Sequence, residues 1–313
     1  MKILITGIAG FIGSHTAERL INRGHEIIGI DNFSDYYQPE IKRKTADTLF
    51  HKGIKIIEED LREDKVYHTL PKDFDYIFHF AAQPGIASSS TFESYFSNNF
   101  LVSKKMLDFA QKNKSLKLFV NIATSSIYGK EACFEEDKEP QPTSYYGITK
   151  MAAEQLALMY SREAYFNTCS LRLYSVYGPR ERPDKLYPKL IDSVFNNTPF
   201  TLFEGSEKHL RSFTFIDDIV DGIISVIGKE ESLNGEIINL GSEIEHTTQE
   251  GIQTVEKLTG KKINITIIPK RSGDQLRTKA IITKAQKLLN YFPKTTLENG
   301  LKKHIDWYLK NKQ

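Results

Sequence analysis

Tyr146 and Lys150 stand four positions apart in SYYGITKMAAE. On a helix that spacing puts both side chains on one face while Tyr145 points elsewhere. A nearby ammonium stabilises phenolate over phenol, so the pair could bring the tyrosine down from about 10 towards the range of a general acid/base. Spacing alone is not specific, because Tyr308 and Lys312 repeat it in the C-terminal tail. About twenty residues earlier, TSSIYG supplies Thr124, Ser125 and Ser126. A hydroxyl there could hydrogen-bond the same substrate oxygen that Tyr146 protonates or deprotonates; a serine-rich turn satisfying its own backbone would read alike.

A second constellation opens the chain. GIAGFIG sets Gly7, Gly10 and Gly13 just after an apolar run and at the start of a helix-length stretch. Glycines there let the backbone turn tightly, approach a pyrophosphate and offer it a helix N-terminus, although they also suit close packing of helix on strand. Asp31 follows eighteen positions after Gly13, where a carboxylate can accept from an adenosine ribose and would repel a 2′-phosphate, favouring NAD over NADP. It could equally cap the turn that follows its strand. Asp60 could reach an adenine edge or cap the next helix. Phe80, Ala81 and Ala82 end a strand in small residues, as close approach of a ribose and nicotinamide requires and as a well-packed strand end also shows.

These groups need a scaffold that gathers them. Short runs rich in Ile, Val, Leu and Phe at 3–6, 26–30, 54–58, 75–80, 117–123 and 168–174 alternate with helix-length stretches such as 12–23, 96–112 and 145–164. That alternation predicts an α/β fold, a Rossmann-type doubly wound parallel sheet whose strand ends carry the hydroxyls and glycines. After about 175 prolines punctuate a mixed region until FTFIDDIVDGIISVIG, which again reads as a strand entering a helix. A smaller mixed α/β domain formed by C-terminal insertions is expected there.

With 313 residues, 40% of them hydrophobic, the chain can bury a substantial core. A net charge of +2 gives no field to draw it onto nucleic acid or an anionic membrane. Cys133 and Cys169 are too few for a disulfide framework and fit a reducing, cytoplasmic setting. The eight histidines show no ligand spacing, so no metal is expected. MKILITGIAGFIG reads as a strand and turn rather than a leader, and no apolar run reaches the length of a membrane span.

Taken together, GIAGFIG, Asp31-Asn32, HFAAQ, TSSIYG, SYYGITKMAAE, LRLYSVYGPRERPD and RSFTFIDDIVDGI resemble the extended short-chain dehydrogenase/reductase family, specifically its nucleotide-sugar 4-epimerases. The resemblance runs nearly end to end. It implies Thr124, Tyr146 and Lys150 as the catalytic set, with Lys150 also holding the nicotinamide ribose. It implies that hydride leaves C4 of the sugar for tightly held NAD+ while Tyr146 takes the hydroxyl proton, that the 4-keto sugar rotates, and that hydride returns to the opposite face. The cofactor site expected comprises Gly7, Gly10, Phe11, Ile12 and Gly13, then Asp31, Asn32, Asp60 and Leu61, and finally Phe80, Ala81, Ala82, Asn99, Tyr146 and Lys150. Residues 1–175, with 215–241 returning to them, would bind NAD, and 176–214 with 242–313 would bind a UDP-sugar. A homodimer through helices 96–112 and 145–164 is the family habit.

For the reaction, Ser126 stands where related dehydratases and decarboxylases carry glutamate, which favours plain epimerisation. Ser125 and Ser126 are expected at the sugar. Ser175 is closer to the threonine of UDP-glucuronate 4-epimerases than to the asparagine of galactose enzymes. Arg182 could then clasp a sugar carboxylate bidentately, or simply pair with Glu181 or Asp184. Arg180 departs from the bulky apolar residue of the uronate enzymes. Arg211 and Arg271 match positions that clamp the diphosphate, with Arg277 a possible substitute for Arg271 and Asp274 near the uridine ribose; each arginine could instead be a solvated charge. The expected reaction is C4 epimerisation of UDP-glucuronate/UDP-galacturonate. The alternatives are the UDP-glucose/UDP-galactose reaction, a UDP-glucuronate decarboxylase, a 4-keto-sugar reductase, or a non-catalytic NAD-binding regulator.

Overall fold

A computed structural model describes residues 1–85, 90–270 and 275–311. Seven parallel strands form the central sheet: β1 (Lys2–Thr6), β2 (Glu26–Asp31), β3 (Lys55–Glu58), β4 (Tyr76–His79), β5 (Leu118–Thr124), β6 (Thr168–Leu173) and β7 (Ile237–Leu240). Their order across the sheet is β7-β6-β5-β4-β1-β2-β3. Helices cover both faces, so the strands read as apolar runs rather than alternations: Ile3, Leu4 and Ile5 of β1 are fully buried, as are Ile77 and Phe78 of β4. Each such side chain contributes about 1.5–3 kcal/mol by leaving water. The chain winds outward from β1 to β3, then crosses to β4 on the other side of β1. That reversal opens a crevice at the carboxyl ends of β1 and β4, where the glycine turn begins.

The helix Phe11–Ile21 follows β1 with Gly10 as an N-cap that offers no side-chain hydrogen bond. Its first N–H groups therefore face the crevice without a competing side-chain cap. The helix Tyr145–Arg162 is capped by Ser144, whose hydroxyl accepts from the Gly147 N–H at 3.1 Å. It ends two residues short of the expected 164, just before Ala164 at a left-handed φ of 54°. The stretch expected as one helix over 96–112 instead starts at Phe92, runs as a π-helical segment over Phe96–Leu101 and continues as Val102–Gln111. The extra residue per turn in that segment points Asn99 inward.

Outside the central sheet the chain builds a smaller layer, most of it from segments beyond β6. Four two-residue strands, Glu131–Ala132, Leu210–Arg211, His246–Thr247 and Arg277–Thr278, form one short sheet, and Phe200–Phe203 pairs in parallel with Ile265–Ile268. The helix Ile216–Ile224 and then β7 return the chain to the central sheet beside β6.

Candidate active site

A cavity of about 750 Å³ runs from the glycine turn across the ends of β1, β4 and β5 to the smaller layer. At one end Gly7 sits at φ 68°, and a Cβ there would stand 2.9 Å from the Ala81 amide nitrogen. A Cβ at Gly13 would stand 2.5 Å from the Gly7 carbonyl oxygen, so neither position tolerates a side chain. Gly10, Phe11, Ile12, Phe80, Ala81 and Ala82 line the same end. Bare backbone, an uncapped helix start and small strand-end residues make a cradle that suits a dinucleotide pyrophosphate.

Asp31 borders this cradle and also closes the turn after its strand: Oδ1 accepts from the Phe33 N–H at 2.9 Å and Oδ2 from the Ala9 N–H at 3.0 Å. Burial pushes its carboxyl upward, opposed by the Phe33 N–H, the Lys42 charge and the Ala9 N–H. Asn32 donates to Asp60 at 3.0 Å, and Arg62 grips Asp60 so firmly that its carboxyl is held down to about 2. Asp60 does not cap the helix Asp64–Thr69, whose N-cap is Glu63; it closes its own turn by accepting from the Arg62 N–H. Leu61 completes this wall.

Asn99 does not reach the cavity. Wholly buried, its amide donates to the Gln83 carbonyl and to Thr149 Oγ1, while its Oδ1 accepts from the Gln83 N–H at 2.7 Å. It braces the wall against the helix that carries Tyr146 and Lys150, and its neighbour Asn98 takes the lining position. Ser103 continues this buried chain of bonds to His79 and Thr6.

At the centre of the cavity Thr124, Ser125, Ser126, Tyr146 and Lys150 converge. The Thr124 side chain hydrogen-bonds Tyr146, and its Oγ1 accepts from the Ser126 N–H at 3.1 Å. The electrostatics differ from the sequence expectation. Burial raises the Tyr146 phenol above its ordinary value, and the influences that oppose this are Thr124, the Arg182 charge and the Gly85 N–H rather than Lys150. Lys150 is itself lowered to about 8 by burial, with Glu154 opposing. Spacing of four placed both side chains on one cavity, but burial decided their proton affinities.

Toward the smaller layer, Ser175, Arg182 and Arg211 line the wall. Arg182 is no surface charge: it is 8% exposed, donates to the Pro84 carbonyl at 3.1 Å and to Asp184 at 3.3 Å, and lies over the Tyr36 ring. Arg211 donates to the Leu210 and Gln275 carbonyls. Arg180, at φ 68°, turns away from the wall onto Glu18 and His15. Arg277 pairs with Glu245 through two bonds of 2.6 Å and does not line the cavity, so it is no substitute at this wall. Arg271 and Asp274 lie outside the described residues. Tyr308 bonds Asp192 far from this chemistry. Among the described residues no group of three or more His, Cys, Asp or Glu side chains could hold a metal ion, and no helix is long and apolar enough to cross a membrane.

The profile of the NAD dependent epimerase/dehydratase family matches residues 3–241. The chain belongs to this family. Among similar proteins, an uncharacterized UDP-glucose epimerase YtcB of Bacillus subtilis is 37% identical over 97% of both chains. UDP-glucuronate 4-epimerase 4 of Arabidopsis thaliana is 34% identical over 99% of this chain and 75% of its own. UDP-glucuronic acid 4-epimerase from Bacillus cereus, solved with UDP-glucuronic acid and NAD, superposes with a TM-score of 0.91 at 33% identity over 99% of each chain.

In this member of the NAD dependent epimerase/dehydratase family, several lining residues had been given no site role from the sequence. Tyr36 and Tyr37 each face a cation, Arg182 at 5.0 Å and Lys42 at 4.6 Å from the ring centre. Lys42 also donates to the Ser34 carbonyl and hydroxyl. Glu181, pushed up to about 8 by burial, has one oxygen with no hydrogen-bond partner among the described residues. No local spacing marks these residues, although the doubled tyrosine of SDYYQ was visible.

Proposed function

We propose that the chain inverts C4 of a UDP-sugar, interconverting UDP-glucuronate and UDP-galacturonate with NAD held throughout. The observation that carries this reading is the convergence, on one cavity, of the bare glycine cradle, the Thr124–Tyr146 hydroxyl pair and a buried arginine at Arg182. When bound, NAD+ would supply the acceptor for the C4 hydride, and the NADH so formed the donor that returns it. Gly7, Gly10, Gly13, Asp31, Asn32, Asp60 and Lys150 would hold it. Tyr146 would act as phenolate, the form that the positive charge of bound NAD+ would favour against the burial that raises its phenol; it would take the C4 hydroxyl proton and later return it, while Thr124 holds that oxygen beside it. Ser125, Ser126 and Ser175 meet the sugar, Arg182 meets its carboxylate, and Arg211 meets the diphosphate.

Residues 1–175 with 215–241 would carry the cofactor, and 176–214 with 242–313 the UDP-sugar. We place the chain in the cytoplasm, in keeping with two unpaired cysteines. A homodimer is supported by an exposed aromatic stripe: Phe92, Phe96 and Tyr145 are 40%, 37% and 56% exposed, with Phe92 in ring contact with both other residues.

The pairing of Arg182 with Asp184 favours a second reading, since it satisfies the guanidinium without a sugar carboxylate and would suit the neutral UDP-glucose/UDP-galactose pair. Incubating the purified chain separately with UDP-glucuronate, UDP-glucose and UDP-N-acetylglucosamine, without added cofactor, and identifying products by NMR separates the readings. The expected product is UDP-galacturonate. Conversion of neutral sugars alone overturns the uronate assignment, and release of carbon dioxide overturns plain epimerisation.

A further inference from the structure

The guanidinium of Arg182 is held from several sides. Nη1 donates to the Pro84 carbonyl at 3.1 Å, and Nη2 to Asp184 at 3.3 Å. A Cβ at Gly85 would stand 3.1 Å from Nη2, so the seat is tight. The Asp184 side chain is 47% exposed against 9% for Arg182, and a pair so open to water fixes geometry weakly. Tyr36 supplies further support: its ring centre lies 5.0 Å from the guanidinium carbon, and its hydroxyl accepts a hydrogen bond from the guanidinium.

Tyr36 is well placed to act as an anvil. Its loop is anchored at the start by the Phe33 N–H on Asp31 and by Lys42 donating to the Ser34 carbonyl, and the helix Pro39–His51 follows directly. A planar cation held against a fixed ring presents its remaining edge donors to a ligand. Pro84, Asp184 and the Tyr36 hydroxyl take up donors of the guanidinium among the described residues, and Asp184 is the partner an incoming carboxylate can replace.

From this geometry we propose that Tyr36 is a specificity-determining positioning residue: its ring orients Arg182 to read the carboxylate of an acidic UDP-sugar. The inference rests on the reading that Arg182 meets that carboxylate. Tyr36 acts through Arg182 and touches no reacting atom.

The test compares Tyr36→Leu and Tyr36→Phe with the unsubstituted chain, measuring kcat and KM for UDP-glucuronate and the inhibition constant of UDP, which lacks the sugar. Tyr36→Leu should raise KM about three- to ten-fold, the scale of a part-buried cation–ring contact, with kcat and UDP inhibition unchanged. Tyr36→Phe keeps the ring and loses only the hydroxyl's bond to Arg182, so its KM should lie closer to that of the unsubstituted chain than to that of Tyr36→Leu. Unchanged KM in Tyr36→Leu, a parallel loss of UDP inhibition, or equal defects in both variants each overturn the inference. If instead the unsubstituted chain leaves UDP-glucuronate unconverted, or Arg182→Met leaves its KM unaltered, the uronate reading itself falls and takes the inference with it.

Discussion

Glu154 and Arg172 form an ion pair sealed inside the protein, with Arg172 Nη2 2.7 Å from Glu154 Oε1 and Nε 3.0 Å from Oε2. Their residues are 0% and 1% exposed. Glu154 lies one turn beyond Lys150 on the same helix, and Arg172 lies on β6, so the pair bolts that helix to the sheet. Glu154→Gln leaves the guanidinium buried without its counter-charge and should destabilise the fold by about 3–5 kcal/mol in denaturant titrations. A loss below about 1 kcal/mol would mean the pair carries little of the helix's anchorage.

Tyr146→Phe removes the proposed acid/base hydroxyl and keeps the ring. Turnover should fall by about a hundred- to ten-thousand-fold while the purified protein retains its NAD. Retained turnover would remove Tyr146 from the chemistry, and a regulator without catalysis would be indifferent to the change.

Gly13→Ala places a methyl 2.5 Å from the Gly7 carbonyl oxygen, a fixed backbone atom. The cradle must open, so NAD content should drop at least tenfold, about 1.4 kcal/mol, with secondary structure unchanged by circular dichroism. Full cofactor occupancy would show that the turn is not the pyrophosphate seat.

Lys150 loses its proton as pH rises through about 8. If its ammonium holds the cofactor ribose, kcat/KM should decline above that pH, and Lys150→Arg, which stays charged, should shift the decline upward. The stability sign is opposite. Because burial lowers this lysine in the folded chain, the unfolded chain binds more protons between about 8 and the ordinary lysine value, so this residue's contribution rises with pH across that window.

Phe96→Asp puts a charge in the exposed aromatic stripe where Phe96 contacts the Phe92 and Phe100 rings. Light scattering should report a monomer in place of the proposed homodimer. An unchanged mass would move the interface elsewhere.

Most of the sheet was legible because parallel strands buried on both faces leave unbroken apolar runs, as ILIT and DYIFHF do. The glycine turn and the Tyr146–Lys150 pair were legible because each acts over one turn of backbone, within reach of spacing rules. Asn99 was not: a π segment rotates it away from the cavity and sets Asn98 in its place, and no residue in FSNNFL announces that extra residue per turn. Arg277 looked equivalent to the other arginines in sequence, yet Glu245 claims it.

The order of glycines, hydroxyls and basic residues along the chain is enough to propose a dinucleotide site and an acid/base pair, because those signals are local, while the reaction itself was named from the family resemblance of the motifs taken together. Which charge bears on the Tyr146 phenol, why Lys150 titrates near 8 and what holds Arg182 were decided only when distant segments met. Desolvation and Coulomb forces act through space, between loops and strands that no spacing along the chain relates.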